Sequence, residues 1–580
     1  MKRRDIIIGS LKAAALFAVT KPLTVLSESI GLFDYSKIYG PGNALRFPPL
    51  FTNGGVMNLG NYVVEVWPSQ NTNVIAINGS YPCPTVRIQK GQTFTAVFQN
   101  NLTEPATCHW HGLSVPENMD GHPKDAIPPG SSYTYTFPIL NRAGTYFYHS
   151  HADMLTGKQV YKGFAGFFIV TDPDENIFNL PSGNFDVPLC IQDRRIADIP
   201  QFTYSPTSYE MMWGYLGDTV LVNGTPNAYL SVSRTLYRFR LLNGSNARVY
   251  RIAFSDNRQF HIIATDGGLK DQPVAVNEFK LSPGERVDIL FDFSPYTIGQ
   301  NVKLVSLPYT HSGTLPYKQG IALDIIRFDI VNNISSGGVI PSAFNPITYY
   351  DINSVNNVRN FTLSLSGSGH PMHRINGLTF DINRIDWEVP LHSLEEWKII
   401  NTTADFHPMH SHEVQFQVYS RNGNTNLPPS DKGWKDTVLV NPGETVRTLV
   451  KFTGYKGIYL YHCHNLEHED DGMMLNFRVI DPIGIRKTGT EIPEEFKLFQ
   501  NYPNPFNSST VLKFRLPGKD KVVLNIYDSK ARLVVRLFEG ELNAGEYEIS
   551  WNAGDYSSGI YFARLNAGVK HGSVKMILAK

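Results

Sequence analysis

The stretch HCHNLEHEDDGMM, residues 462–474, sets a cysteine between two histidines and follows it with a third histidine and two methionines. Four His-x-His pairs recur along the chain: His109/His111, His149/His151, His410/His412 and His462/His464. With 17 histidines in 580 residues, random placement supplies roughly half of one such pair. In a strand, residues i and i+2 share a face, so each pair is expected to present two imidazoles side by side. Neutral imidazole is a good copper ligand, and eight of them exceed what a zinc hydrolase with three ligands and an open position requires. The chemistry expected is that of a cluster of several copper ions.

The central cysteine adds a second site. Cys463 faces away from His462 and His464, so one strand can reach two metal centres at once. Cys463, His468 and Met473 offer a thiolate, an imidazole and a weak axial thioether, and His407 of HPMHSH offers a second imidazole. A His2Cys set with axial Met is that of a blue-copper electron-transfer centre, and the thioether implies a moderate potential compared with an apolar residue.

These residues need strands to hold them. Gly (47) and Pro (37) are plentiful and aromatic residues make up 12%, a balance that favours many short strands joined by turns. Three stretches begin with an Asn-Gly turn, at INGSYP from 77, VNGTPN from 222 and INGLTF from 375, and lie roughly 150 residues apart. Three related β domains of about 45–175, 183–332 and 345–482 are expected, each a Greek-key sandwich with turns such as Pro129-Gly130, Pro283-Gly284 and Pro442-Gly443. Residues 483–494 read as a linker, and 495–580 as a fourth, small sandwich without histidine pairs. The fold class expected is all-β.

The start, MKRRDIIIGSLKAAALFAV, is basic and then apolar, too short for a membrane span, and reads as an export signal over about residues 1–30. Arg3-Arg4 resembles a twin-arginine signal, with an ordinary Sec signal as the alternative. The mature start falls near residues 20–35, and no other segment reads as a span. Net charge is zero and the pI is near 7.3, which leaves no electrostatic footprint for nucleic acid or an anionic membrane. The partner expected is small. Four cysteines are too few for a disulfide scaffold; Cys83 and Cys108 could pair across strands, Cys190 leaves the count odd, and no disulfide is assigned.

HWHG, HSH, HPMHSH and HCHNLEHEDDGMM, in this order, resemble the four copper-binding motifs of the multicopper oxidases, over roughly residues 45–480. The resemblance implies three cupredoxin-like domains and four copper ions. By position, a type 1 copper takes His407, Cys463, His468 and Met473; a type 2 copper takes His109 and His410; a type 3 pair takes His111, His149, His151, His412, His462 and His464. It implies one-electron oxidation of a donor at the type 1 site, coupled to four-electron reduction of O2 to water at the other three coppers. That reduction consumes protons. Asp120 and Glu469 stand where similar bacterial enzymes carry their acids, with a solvated loop carboxylate as the alternative for each. Asp436, in GWKDTV, resembles a segment of spore-coat laccases and bilirubin oxidases and is expected to shape a turn, with substrate binding as the alternative. His370-Pro-Met-His373 echoes HPMH; it reads as an ordinary loop, with an accessory metal site including Met372 as the alternative, and His122, His261, His311, His392 and His571 receive no role.

Substrate choice belongs to the loops over the type 1 site. With 11 methionines and no Met-rich run, the chain favours a phenol or aromatic amine as donor over Cu(I), which soft thioethers capture. Oxidation of Cu(I) or Fe(II), and copper binding at the cell surface without turnover, are the alternatives; storage alone would have no use for a cysteine flanked by two histidines. From about 493, NYPNPFN, IYD, the Trp551 strand and SSGIYFARL resemble the type A C-terminal sorting domain of the type IX secretion system, implying an Ig-like sandwich. Export through the periplasm of a Gram-negative-type cell to the surface or medium follows from that resemblance. Ala531 stands where a Gly is usual, in a turn that must adapt to it.

Overall fold

The computed structural model describes residues 42–195, 197, 200–310, 319–367, 372–480, 485–488, 492–554 and 556–580. The proposed signal and His370 lie outside the described residues. Period-2 stretches become strands as expected: TFTAVFQN at Thr93–Asn100 and STVLKFRL at Ser509–Leu516 both alternate exposed or half-buried with buried positions. Eight sheets result, two around each of four apolar cores.

In the first sandwich, the five-stranded sheet ends in β1 (Cys108–His111) beside β2 (Gly144–Ser150). The second sandwich pairs a seven-stranded with a six-stranded sheet and carries the short helix α1 (Ser208–Trp213) on a connecting segment. In the third, one five-stranded sheet starts at β3 (Met372–Ile375), and the other sets β4 (His407–Ser411) beside β5 (Gly457–Cys463), followed by helix α2 (Leu466–Asp470). The fourth has two four-stranded sheets around Phe514, Trp551 and Leu565. Asn43–Ala44 joins a sheet of the second sandwich, and Leu45 packs in that sandwich's core although a place in the first was expected. Chain order and core membership diverge there. Among the described residues, no helix is long and apolar enough to cross a membrane.

Strands β1, β2 and β4 are buried along their whole length, so they lack the polar alternate positions of a half-exposed strand. In β2, Tyr146 and Tyr148 enter the first core. Phe147 instead joins Phe167, Ile169, Cys190 and Leu242 in a separate apolar cluster. Trp110, between His109 and His111, fills the first core against Phe94, Tyr135 and Phe137. One face of each strand therefore anchors it, and the other is left for histidines. Register completes the placement: His109 lies opposite His149, and His410 opposite His462.

Only His109 and His111 both lie within their strand. His151, His412 and His464 each follow the last residue of β2, β4 and β5. The alternation expected of whole strands is thus used at strand ends, where the amides of His412 and His464 still bond the Leu460 and Pro408 carbonyls. Within the pairs, ring centroids are 5.8, 6.0, 5.1 and 5.9 Å apart.

Candidate metal centre

Strand β5 divides its side chains between two environments. Tyr459, Tyr461 and Cys463 belong to the third sandwich's core, together with Met409 and Met473. His462 approaches His151 and His412, and His464 lies beside His111 and His149. The structure therefore brings the sequence-derived residues together in two groups.

In the first group, Cys463 Sγ lies 3.6 Å from Nδ1 of His407 and 3.6 Å from Nδ1 of His468. Met473 is fully buried in the same core. The far nitrogens are held by protein: His407 Nε2 lies 2.8 Å from Thr403 Oγ1 and His468 Nε2 2.8 Å from the Met212 carbonyl of α1. Those bonds turn both Nδ1 atoms toward the sulfur. Burial pushes the Cys463 thiol well above its ordinary range, so the site without a cation disfavours the thiolate. A bound metal reverses that balance, since a coordinating thiol is deprotonated outright.

The second group holds eight imidazoles. Nε2 of His462 lies 3.2 Å from Nε2 of both His151 and His412. His111 Nδ1 lies 3.4 Å from His149 Nε2, and His464 stands against both rings with neither of its nitrogens hydrogen-bonded. His109 and His410 form the remaining pair. Each has Nδ1 2.8 Å from a backbone carbonyl, of Asp120 and Asp436 respectively, and a buried Nε2 without a partner. Buried polar atoms without partners are costly. Their convergence is the property of a metal-donor set, and copper suits imidazole of this kind. Burial, reinforced by neighbouring imidazoles, holds His111, His149, His151, His410, His412 and His464 well below the ordinary histidine pKa. They are therefore neutral, each with a lone pair to offer.

Asp120 and Glu469 are buried against this group, which removes the solvated-loop alternative. Asp120 Oδ2 accepts from His412 Nδ1 at 2.7 Å. Glu469 places one oxygen 3.1 Å from His462 Nδ1 and the other 3.4 Å from His151 Nδ1. Asp436 does more than shape a turn: its buried carboxylate reaches His111 Nε2 at 3.0 Å and forms a two-pronged ion pair with Arg286. His373 is no ordinary loop residue either. Its ring is buried, 4.2 Å from His468 and 4.7 Å from His407, with Nε2 on the same Met212 carbonyl. His122 is likewise buried, with Nε2 2.8 Å from Asn476 Oδ1. None of the four cysteines forms a disulfide. Arg286 escaped the sequence reading altogether; it opens the strand RVDILFD, where Asp288 and Asp292 make an arginine look like an ordinary charged partner.

Multicopper oxidase models match residues 61–175, 201–327 and 343–482, and a secretion system C-terminal sorting domain matches residues 500–579. The multicopper oxidase mco of Staphylococcus haemolyticus is 35% identical over 420 residues, which cover 72% of this chain and 86% of that protein. The laccase of Bacillus subtilis is 31% identical over 473 residues, covering 71% of this chain and 91% of the relative. The crystal structure of the McoA multicopper oxidase of the hyperthermophile Aquifex aeolicus matches with a TM-score of 0.69 at 38% identity, covering 76% of this chain and 99% of that one. Two donor sets joined by one strand, on sandwiches that match these models, lead to one assignment: the chain belongs to the multicopper oxidase family.

Proposed function

We propose that the protein is an exported, laccase-type oxidase. It couples one-electron oxidation of phenolic or aromatic amine donors to the four-electron reduction of O2 to water. His407, Cys463, His468 and Met473 hold a type 1 copper; His109 and His410 hold a type 2 copper; His111, His149, His151, His412, His462 and His464 hold a type 3 pair. Copper supplies the one-electron couple at the first site and the oxygen-reducing centre at the second. The observation that carries the reading is Cys463, 3.6 Å from two imidazole nitrogens, with both chain neighbours in the eight-imidazole group. A peptide path of one residue in each direction then joins the two sites.

Asp120 and Glu469 hold and pass protons. Asp120 does so at Nδ1 of His412, and Glu469 at Nδ1 of His462 and His151, so both carboxylates border the group that consumes protons. Residues 495–580 carry the protein to the outside or to the cell surface, in keeping with the sorting-domain match.

A second reading, oxidation of Cu(I) or Fe(II), draws on the half-buried Met211 and Met212 of α1, the latter's carbonyl being bound to His468. O2 uptake by copper-loaded protein with a phenolic dye, and separately with Cu(I) and with Fe(II), decides between them. Rapid uptake with the phenol, beside a blue thiolate band and a near-ultraviolet type 3 shoulder, supports the laccase reading. Uptake with a metal ion alone moves the assignment to metal oxidation. A copper-loaded sample without bands or uptake leaves only copper binding.

A further inference from the structure

Among the described residues, the second sandwich contributes no histidine to either donor group, yet one of its arginines reaches the larger one. Arg286 is fully buried, and all five of its N–H donors are engaged. Nε donates to the Thr145 carbonyl of β2 at 2.9 Å; Nη1 donates to the Gly284 carbonyl at 2.8 Å and to Asp436 Oδ1 at 2.7 Å; Nη2 donates to the Asp266 carbonyl at 3.1 Å and to Asp436 Oδ2 at 2.5 Å. One guanidinium thus ties the first sandwich, through β2, to the third, through Asp436.

The carboxylate so held faces His111. Asp436 Oδ1 is 3.0 Å from His111 Nε2, and Thr437 Oγ1 is 3.1 Å from the same nitrogen. An ionised carboxylate only accepts, so Nε2 must carry the proton and Nδ1 the lone pair. The contrast with its neighbours is direct. His109, His149, His410 and His462 have Nδ1 on backbone carbonyls, and His412 has Nδ1 on Asp120, so all five present Nε2. Among the imidazoles of the larger group whose tautomer is fixed by an oxygen partner, His111 alone presents Nδ1, toward His149.

We propose that Arg286 and Asp436 are positioning residues for the oxygen-reducing centre: the guanidinium fork orients the carboxylate, and the carboxylate fixes His111 as an Nδ1 ligand. The inference rests on the copper reading above. It also accounts for the glycine of HWHG. Gly112 has φ +86°, and a Cβ there would lie 2.4 Å from Asp436 Oδ2 and 2.7 Å from Arg286 Nη2. The motif's last letter makes room for the ion pair.

The test uses the full-length copper-loaded protein and reads the resting state, before any turnover. Copper per chain, the blue thiolate band, the type 3 shoulder and the fraction of copper visible by electron paramagnetic resonance are compared for wild type, Asp436→Asn, Arg286→Lys and Arg248→Lys. Asn offers an amide where the fork needs a second acceptor, and Lys cannot reproduce a five-donor fork. The control changes another buried arginine of the second sandwich, whose Nε bonds Asp193 at 2.9 Å and whose Nη2 donates to the Gly217 carbonyl.

The expected result for both Asp436→Asn and Arg286→Lys is a retained blue band, a lost or halved type 3 shoulder and a rise in paramagnetic copper, with the control unchanged. Outer partners of metal ligands are worth about 10–100-fold in metal affinity or activity, so a loss of that order in O2 reduction accompanies the spectra. Wild-type spectra retained in both variants overturn the inference while leaving the copper reading intact. Equal losses in the control also overturn it, as a general packing effect. A wild type without the type 3 shoulder instead overturns the reading on which the inference rests. Should Asp436→Asn fail to fold, Arg286→Lys, which keeps the charge, carries the decision alone.

Discussion

Cys463, Met409 and Met473 lie inside the core of a single sandwich, and His407 and His468 flank the sulfur from the same domain. The eight-imidazole group is assembled differently. His109, His111, His149 and His151 come from the first sandwich, His410, His412, His462 and His464 from the third, and the second supplies the arginine that braces them. The smaller donor set comes from one domain, with the Met212 carbonyl of the second sandwich behind His468, and the larger set is a property of how three domains meet. Evidence that separates folding within a domain from docking between domains should therefore separate the two sites.

The sharpest break is at the residue they share. Cys463→Ser is expected to abolish the blue band and donor-driven O2 uptake while leaving the near-ultraviolet type 3 shoulder, which visible and ultraviolet spectra of one sample will show. Next in size is Gly112→Ala, at the meeting point of the three sandwiches. Its Cβ meets the Asp436–Arg286 pair, and disrupting a buried pair costs about 3–5 kcal/mol, so the thermal midpoint should fall and the shoulder weaken before the blue band does.

Proton binding gives a third contrast. In the copper-free protein, burial holds six imidazoles of the larger group and two of the smaller, His407 and His468, well below their ordinary value of 6.5. The unfolded chain takes up protons there first. Stability is therefore full above pH 6.5 and falls as the pH drops below it, until the folded-state values are reached. Urea midpoints of copper-free protein between pH 8 and pH 5 should decline, and copper loading should flatten the decline; a pH-independent midpoint would count against the neutral cluster. Glu469→Gln is expected to be milder in stability and to slow O2 reduction by about 10–100-fold with the blue band unchanged, as measured by reoxidation of a donor-reduced sample.

The smallest effect belongs to neither site. Ala531 has φ +58°, in a turn where Asp528 Oδ1 accepts from the amides of Lys530 and Arg532. The turn keeps the left-handed residue and accepts an alanine there, at a cost of roughly 1–2 kcal/mol. Ala531→Gly should stabilise the C-terminal sandwich by about 1 kcal/mol, read in its urea midpoint, and leave both metal spectra untouched.

The ligand candidates were legible because alternation is a local code. Reading His462, Cys463 and His464 as facing two ways needs only the period of a strand. Asp120 and Glu469 were legible by position beside the motifs, although their burial was not. Asp436 was noticed and misjudged, since a carboxylate between Lys435 and Thr437 resembles any polar turn residue until its partner is known. That partner, Arg286, stands 150 residues away in another domain, and no periodicity links them. His373 was hidden in the same way: its meaning lies in contacts with His407 and His468 across the sandwich. The overall β class was readable from turns and alternation, whereas the crossing of Asn43–Ala44 into the second sandwich was not, because two residues carry no pattern.

The one-residue step from Cys463 to either neighbour sets how such an enzyme ages. On the proposed copper reading, covalent geometry keeps that step constant however the domains shift, whereas the eight-imidazole group depends on how the sandwiches dock. A worn sample would then lose its colour on meeting a donor and stay pale in air, a failure visible to the eye well before the protein precipitates.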